Sequence, residues 1–209
     1  MPPKAILFDI GRVIVRLDLK RAFAPFVPVL PASNGGASKS PEQIWTALQS
    51  DPRWWDWQEG RMTPPEWHEY MTRHLGIAPS FEEFRAAWNS VLDPETILPE
   101  SLFAQLASRF RLGLLSNTDP LHSAYLEEHF SFVRHFPVRV YSNEVGSSKP
   151  SPAIYRAALA ALGASPAETL YIDDIAEFAQ AARGLGLDAI HFENPQQLIR
   201  EFSQRGLAL

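Results

Sequence analysis

The sequence predicts an α/β fold in which a Rossmann-like parallel sheet forms the core and a helical cap domain is inserted into it. Short apolar runs that stop at polar turn residues are typical of buried parallel strands. Helix and strand patterns alternate from about residue 99 onward, as expected for a parallel sheet with right-handed crossovers. Between the first strand and this alternating region the chain has only helix and loop patterns, which indicates an insertion.

Each element is predicted from its apolar pattern and its end signals. The predicted strands are 5–8, 111–115, 138–141, 169–173 and 187–192. The predicted helices of the core are 100–110, one starting near Asp119-Pro120, one from Ser151 to Gly163, 175–185 and one from Pro195. Ser or Asp before a helix and Gly after it are the usual capping residues.

The inserted segment is predicted to be a helical domain. Thr63 with Glu66, and Ser80 with Glu83, form two capping boxes that each open a helix. The Pro-, Ser- and Gly-rich stretch 31–41 is predicted to be a loop. We therefore assign residues 1–15 and 95–209 to the α/β core, and residues 16–94 to the cap.

All six tryptophans lie in the insert. Large side chains fill the core of a small helical domain, which explains Trp67 and Trp88 on periodic helix faces. Trp54, Trp55 and Trp57 are too close in sequence to point all into one core. At least one of these three is predicted to face a pocket or an interface.

Composition excludes several classes of function. The formal net charge of −5 gives no general attraction to nucleic acid, and the lack of cysteine excludes disulfides, thiolate metal sites and a cysteine nucleophile. No apolar stretch reaches membrane-spanning length, and the first residues do not form a secretory signal. We expect a cytoplasmic protein with a small-molecule partner, no nucleic-acid or membrane partner, and an oligomeric state that the sequence leaves open.

Four polar clusters stand at the ends of apolar runs, in a fixed order. They are Phe8-Asp9-Ile10-Gly11, Ser116-Asn117-Thr118, Lys149-Pro150 and Asp173-Asp174. Ligands of open α/β sheets bind outside the carboxyl ends of the strands, so these clusters are expected to meet in one crevice. Carboxylates, a hydroxyl and an ammonium together suit a Mg²⁺ ion and a phosphate group.

This order of motifs resembles the haloacid dehalogenase superfamily, the large group of hydrolases with an aspartate nucleophile, and the insert resembles the cap of its subfamily I. Finer features are similar to the bacterial α-D-glucose-1-phosphate phosphatases: the turn Glu59-Gly60-Arg61, the run 81–88 and the run from Ser116 to His122. The phosphatase domain of soluble epoxide hydrolase is a more distant likeness. The resemblance covers nearly the whole chain.

The resemblance and the chemistry of the residues assign the same roles. Asp9 is the expected nucleophile, which attacks phosphorus and forms an aspartyl-phosphate. Asp174, Asp9 and the backbone carbonyl of Gly11 are the expected Mg²⁺ ligands. Asp173 is expected to support these ligands without binding the metal itself. In the absence of a metal, the two neighbouring aspartates are ordinary caps of the helix that follows.

The phosphate group is expected to contact three further residues. The Ser116 hydroxyl and the Asn117 backbone N–H donate hydrogen bonds to its oxygens, and Lys149 offsets charge on the nucleophile and on the phosphoryl group. Each of these residue types is common in loops, so only their order along the chain supports the assignment.

The chain departs from the family pattern at two positions. Most phosphatases of the superfamily carry an acid–base Asp where this chain has Gly11, and a general acid–base group contributes about 10²–10⁴ in rate. Either the leaving group needs little protonation, as with an anomeric oxygen, or Arg12, Glu59 or His68 assists. At the second position relatives commonly place Asn, whereas this chain has Phe178. Either Glu177 takes over part of that polar role or the outer shell of the site is thinner.

The function predicted from the sequence is a Mg²⁺-dependent phosphatase. It hydrolyses a small phosphomonoester through an aspartyl-phosphate. The resemblance implies that this ester is a sugar phosphate. The alternatives are a haloacid dehalogenase, which needs no metal, and a catalytically weak protein that binds a phosphate or a partner. The acidic pair Asp173-Asp174 argues against the dehalogenase, and Gly11 favours the weak binding protein.

Overall fold

A computed structural model describes residues 3–23, 40–75 and 79–207. Five parallel strands form the main sheet in the order β5-β4-β1-β6-β7, which confirms the predicted α/β fold. The strands are β1 (Ala5–Phe8), β4 (Arg111–Ser116), β5 (Val138–Tyr141), β6 (Thr169–Asp173) and β7 (Asp188–His191), while β2 (Val15–Leu17) and β3 (Leu92–Thr96) form a separate antiparallel pair.

Helices surround this sheet and fill the insert. They are α1 (Leu19–Phe23), α2 (Pro41–Gln49), α3 (Pro52–Gln58), α4 (Pro64–Leu75), α5 (Phe81–Asn89), α6 (Glu100–Ala107), α7 (Pro120–His129), α8 (Ser142–Val145), α9 (Pro152–Leu162), α10 (Ala176–Gly184) and α11 (Pro195–Gln204). Within residues 3–23, 40–75 and 79–207, none is both long and apolar enough to cross a membrane.

The order of the strands brings the polar clusters of the sequence to one edge. β1 is the central strand, and Phe8 pairs in register with Leu114 of β4 and with Ile172 of β6. All four residues of β1 are buried because helices cover both faces of the sheet. The carboxyl ends of β1, β4 and β6 therefore lie side by side.

Capping residues set the helix ends where the sequence places them. Asp119 caps α7 and Ser151 caps α9, each accepting a hydrogen bond from a backbone N–H of the first turn. Gly163 ends α9 with φ of 60°, a left-handed conformation that glycine adopts without the steric cost of a Cβ atom. The capping boxes at Ser80 and Thr63 also form as predicted.

The sequence analysis misses several elements in and beside the insert, among them the strands β2 and β3 and the helix α3. β2 and β3 pair antiparallel, Val15 opposite Thr96, at the two ends of the inserted segment. The pattern of β3 gives no strand signal because Asp93 and Pro94 interrupt it. Helix α3 is not predicted either, although Asp51 caps it and proline follows at the first helical position. The predicted loop 31–41 lies, for residues 31–39, outside the described residues.

Four of the six tryptophans, Trp54, Trp57, Trp67 and Trp88, lie in the core of the insert. Trp57 and Trp67 are fully buried and stack with ring centroids 5.5 Å apart and planes 4° from parallel. Trp88 meets Trp67 edge-on at 6.0 Å. Trp55, by contrast, is 43% exposed, so the prediction that the three neighbouring tryptophans cannot share one core is confirmed.

The end of α3 contacts the core at α8. The Ser142 hydroxyl lies 2.6 Å from the backbone carbonyl oxygen of Gln58. Gly60 follows with φ of 68°, and a Cβ atom there would lie 2.1 Å from the Asn143 carbonyl oxygen. Only glycine allows the two backbones to approach this closely.

We predict that Gly60→Ala destabilises the protein more than Gly146→Ala does. Both glycines have left-handed backbones, but Gly146 has no atom within 4 Å of the added methyl. Left-handed alanine costs about 1 kcal/mol in either variant, and the contact with Asn143 adds about 2 kcal/mol at Gly60. Urea unfolding followed by tryptophan fluorescence measures both free energies. Equal losses of unfolding free energy in the two variants would show that the insert can move away from Asn143 without a cost in free energy.

Candidate active site

The carboxyl edge of the sheet carries a pocket of about 190 Å³. Its walls combine residues from all four polar clusters with residues of the insert. The cluster residues that line it are Asp9, Ile10, Gly11, Ser116, Asn117, Thr118, Lys149 and Asp174. Asp173 lies fully buried behind this surface. The structure thus brings the predicted residues together because β1, β4 and β6 end side by side.

Lys149 is the charged centre of the site. Its Nζ donates hydrogen bonds to Asp9 Oδ1 at 2.8 Å, to Asp173 Oδ2 at 2.7 Å and to the Leu115 carbonyl oxygen at 3.3 Å. Burial alone would lower the pKa of this ammonium, but the carboxylates of Asp173 and Asp9 hold its pKa above the usual value. Lys149 therefore stays charged although its side chain is almost completely buried.

Asp9 occupies an environment that disfavours its charge. Burial, with a smaller contribution from the charge of Asp173, raises the pKa of Asp9 to about 7, although Lys149 opposes the shift. A second cation beside Asp9 would lower this pKa and favour the ionised form. An ionised Asp9 has a carboxylate oxygen available as a nucleophile.

Asp173 is held in place by donors on both of its oxygens. The Ile175 backbone N–H donates to Oδ1 at 2.7 Å, while Lys149 and the Tyr171 hydroxyl both donate to Oδ2. The sequence analysis does not identify Tyr171. The available signal is its position two residues before Asp173, because residues i and i+2 of a strand point to the same face.

The acidic residues form a group with the dimensions of a metal site. Ligand atoms of Asp9, Asp173 and Asp174 all lie within 4.8 Å of one another. Three carboxylates and the single ammonium of Lys149 leave two negative charges unbalanced in this group. Burial and the neighbouring charge of Asp173 raise the pKa of Asp174, while Arg12 and Lys149 oppose this shift. Mg²⁺ prefers carboxylate oxygens, so the residues present fit this ion.

Asn117 braces the segment that carries Lys149. Its side-chain nitrogen donates to the Lys149 carbonyl oxygen at 3.0 Å, and its side-chain oxygen accepts from the Lys149 backbone N–H at 2.7 Å. The sequence analysis assigns only the Asn117 backbone N–H to the site. The paired hydrogen bonds give its side chain a second, structural role.

Comparison with known proteins identifies the family. The model of the haloacid dehalogenase-like hydrolases matches residues 3–186. The chain belongs to this family. The superfamily inferred from the motif order is therefore confirmed.

Two relatives at the level of sequence are informative. The D-ribitol-5-phosphate phosphatase of Bacteroides thetaiotaomicron is 24% identical over 91% of this chain and 92% of its own length. The bifunctional epoxide hydrolase 2 of Sus scrofa is 33% identical, but over only 34% of this chain and 13% of its own length. The first of these relatives, which matches along nearly its full length, is named for ribitol 5-phosphate. It therefore gives no specific support to the predicted similarity to glucose-1-phosphate phosphatases.

A solved structure agrees with the metal site. A haloacid dehalogenase family enzyme of Bacteroides thetaiotaomicron, crystallised with magnesium and inorganic phosphate, superposes with a TM-score of 0.77. It is 26% identical, and the match covers 95% of this chain and all of that one. Magnesium is the metal expected for this member of the family.

Position 11 of this haloacid dehalogenase-like chain carries glycine instead of an acid, and Arg12, Glu59 and His68 are the candidates to replace that acid. The structure shows which of these three residues lies at the pocket. Arg12 lines the pocket and adopts a left-handed backbone with φ of 59°. Glu59 instead accepts a hydrogen bond from the Ser148 backbone N–H at 3.1 Å and pairs with Arg61. His68 contacts the Pro79 carbonyl oxygen at 3.0 Å. Among these three candidates, only Arg12 is part of the pocket wall.

The second departure from the family pattern is Phe178, at the position where relatives commonly carry Asn. The Phe178 ring lines the pocket, and its centroid lies 5.1 Å from Lys149 Nζ. Glu177 is exposed and is not part of the pocket wall. The Tyr171 hydroxyl, and not Glu177, makes the polar contact to Asp173 behind the site. The geometry therefore gives no support to the hypothesis that Glu177 takes over the role of the Asn that relatives carry at position 178.

We predict that Asp174→Asn weakens Mg²⁺ binding more than about tenfold, because losing a ligand costs at least as much as losing a residue that only supports one. Isothermal titration calorimetry with MgCl₂ measures the affinity. Glu177→Gln is the matched control, since it removes one negative charge three residues away without touching the pocket. Equal effects of both variants would mean that general electrostatic attraction, and not coordination, holds the ion.

Proposed function

We propose that this protein is a Mg²⁺-dependent phosphatase that hydrolyses a small sugar or sugar-alcohol phosphate through an aspartyl-phosphate on Asp9. The observation that carries the proposal is the buried contact of Lys149 with Asp9 and Asp173, next to Asp174 in the same pocket. A nucleophilic carboxylate beside a fixed ammonium and an acidic metal site fits displacement at phosphorus.

The reaction proceeds as two successive displacements at phosphorus. A carboxylate oxygen of Asp9 forms a bond to phosphorus, and the bond between phosphorus and the ester oxygen breaks. The departing oxygen takes a proton from water and is released as the alcohol. Water then attacks the phosphorus, which releases inorganic phosphate and restores the Asp9 carboxylate. Lys149 stays within hydrogen-bond distance of Asp9 and offsets negative charge in both steps.

The phosphate group is bound by the residues after β4. Ser116 lies at the end of this strand with its side chain in the pocket wall, and Asn117 follows it. Their hydroxyl and backbone N–H donate to phosphate oxygens. Asp9, Asp174 and the Gly11 carbonyl would hold Mg²⁺, which would neutralise part of the phosphate charge. Asp173 fixes Lys149 and supports these ligands.

Residues 16–94 act as the cap in this proposal, and residues 1–15 and 95–209 as the catalytic core. The cap supplies Trp45, Gln49, Trp54, Trp55 and Gln58 to the pocket wall. A closed cap excludes water from the reacting phosphate and contacts the leaving group, so it selects the substrate.

The substrate class follows from the pocket and from the relatives together. A cavity of about 190 Å³ accommodates only a small leaving group. The full-length relative is named for a sugar-alcohol phosphate, and a partial relative from Thermotoga maritima is named for phosphorylated carbohydrates. A preference for an anomeric phosphate such as glucose 1-phosphate remains a prediction that a substrate panel tests.

We predict Mg²⁺-dependent phosphate release from a panel of sugar and sugar-alcohol phosphates, and its loss by a factor of about 10³ or more in Asp9→Asn. The exposed Asp188→Asn serves as the folded control, and EDTA removes the metal. No release from any ester would favour a phosphate-binding protein without turnover, as Gly11 suggests. Halide release from 2-haloacids in EDTA would establish the dehalogenase instead.

We predict that Gly11→Asp accelerates the hydrolysis of alkyl phosphates about tenfold or more, because the new carboxylic acid protonates a poor leaving group. The site has room, since a Cβ atom there meets the two Leu17 methyl carbons at 3.6 and 4.0 Å, which is ordinary van der Waals contact. The gain should be smaller for 4-nitrophenyl phosphate, whose leaving group needs no proton. Gly11→Asn is the control of equal size without the acid. An equal gain in Gly11→Asn would contradict the acid role.

A further inference from the structure

A buried carboxylate joins the cap to the core at the wall of the pocket. Asp119 is fully buried at the start of α7, where its Oδ1 accepts the backbone N–H groups of Leu121 and His122, each at 3.0 Å. These two bonds are ordinary helix capping. They leave Oδ2 free to accept from side chains of the insert.

Asp119 Oδ2 faces three side-chain donors. His122 Nδ1 lies 2.7 Å away, Trp88 Nε1 3.1 Å and Gln58 Nε2 3.5 Å. Trp88 and Gln58 belong to the insert, whereas His122 belongs to α7 of the core. The carboxylate therefore holds two cap side chains in fixed orientation next to the pocket.

His122 supplies the charge that balances Asp119. Its other ring nitrogen, Nε2, lies 2.9 Å from the Trp88 carbonyl oxygen. Both ring nitrogens thus face acceptors, and only the doubly protonated imidazolium can donate to both. Burial opposes this charged form, but Asp119 raises the pKa of His122 above its usual value. The result is a buried ion pair with Asp119 ionised.

An ionised Asp119 fixes which way the Gln58 amide points. A carboxylate oxygen only accepts hydrogen bonds, so the NH₂ group of Gln58 must face it. The amide oxygen Oε1 is left for the other side, and no donor to it is found among residues 3–23, 40–75 and 79–207. Gln58 lines the pocket although it is 5% exposed.

We propose that Gln58 Oε1 accepts a hydrogen bond from a hydroxyl group of the substrate, which makes Gln58 a specificity-determining residue. The inference rests on the proposed phosphatase function and narrows it. The remaining cap residues of the pocket wall carry no formal charge: Leu17, Trp45, Gln49, Trp54, Trp55, Val91 and Leu92. The cap side of the pocket therefore suits a neutral polyhydroxyl chain or ring.

The test compares two esters that differ only in hydroxyl groups. The first is the best sugar-alcohol phosphate of the panel, starting with ribitol 5-phosphate. The second is the n-alkyl phosphate with the same number of carbons, here n-pentyl phosphate. Wild type, Gln58→Met and Gln105→Met are assayed with saturating Mg²⁺. Methionine keeps the length of glutamine without its polar atoms, and Gln105 lies exposed on α6, away from the pocket.

Gln58→Met should lower kcat/KM for the hydroxylated ester about tenfold, mainly through KM, because one hydrogen bond to the substrate is lost. For n-pentyl phosphate kcat/KM should stay within about twofold of wild type, as it should for both esters in Gln105→Met. A purely structural role of Gln58 in holding the cap would lower the rates for both esters equally, and this would overturn the inference.

Failure of the inference and failure of the proposed function give different results. Hydrolysis of both esters by wild type at equal kcat/KM would leave the phosphatase intact and refute hydroxyl recognition at Gln58. Hydrolysis of neither, together with an inactive panel, would refute the phosphatase itself. Retention of the wild-type preference in Gln58→Met would likewise refute the role of Gln58, whatever the absolute rates.

Discussion

The buried ammonium of Lys149 is the constraint on which the rest of the site depends. An ammonium with almost no access to water must be paired, and removing one partner of a buried pair costs roughly 3–5 kcal/mol. Asp9 directly follows β1 and Asp173 ends β6, so these contacts of Lys149 hold only while the two strands are neighbours in register. Asn117 fixes the backbone from which Lys149 projects. In the proposed mechanism, the same charges that stabilise this edge of the sheet would serve the nucleophile and the metal.

Local signals explain why most of the fold could be predicted. The strand from Thr169 to Asp173 is a continuous apolar run ending in acid, and α9 is bounded by a serine cap and a left-handed Gly163. These features act over a few residues and are visible without a structure. The pairing of β2 with β3 joins Leu17 to Leu92 across the whole insert. No local pattern encodes such a contact, and the polar composition of β3 conceals it.

The candidate site divides in the same way. Its strand-end residues could be predicted because parallel strands place their carboxyl ends together. The groups that orient them could not. Asp119 reads as a helix cap in the sequence, yet it also binds Trp88 and Gln58, which are 31 and 61 residues away. Phe178 is the opposite case, an apolar residue where relatives commonly carry Asn. Its ring packs against the charged Lys149, and the Tyr171 hydroxyl makes the polar contact to Asp173 instead. Tertiary packing decides both outcomes.

Two independent features of the molecule act on the leaving group, and they make opposite demands on some substrates. Gly11 offers no carboxylic acid, which favours an ester whose alcohol is a good leaving group, such as an anomeric phosphate. The Asp119-oriented Gln58 and the uncharged cap wall favour a neutral polyol, whose primary alcohol is a poor leaving group. A cyclic sugar 1-phosphate satisfies both demands, whereas ribitol 5-phosphate satisfies only the second. An enzyme that prefers the alditol ester must therefore stabilise the departing oxygen by another group. Arg12, with its cationic side chain in the pocket wall directly after Gly11, is the residue placed to do so.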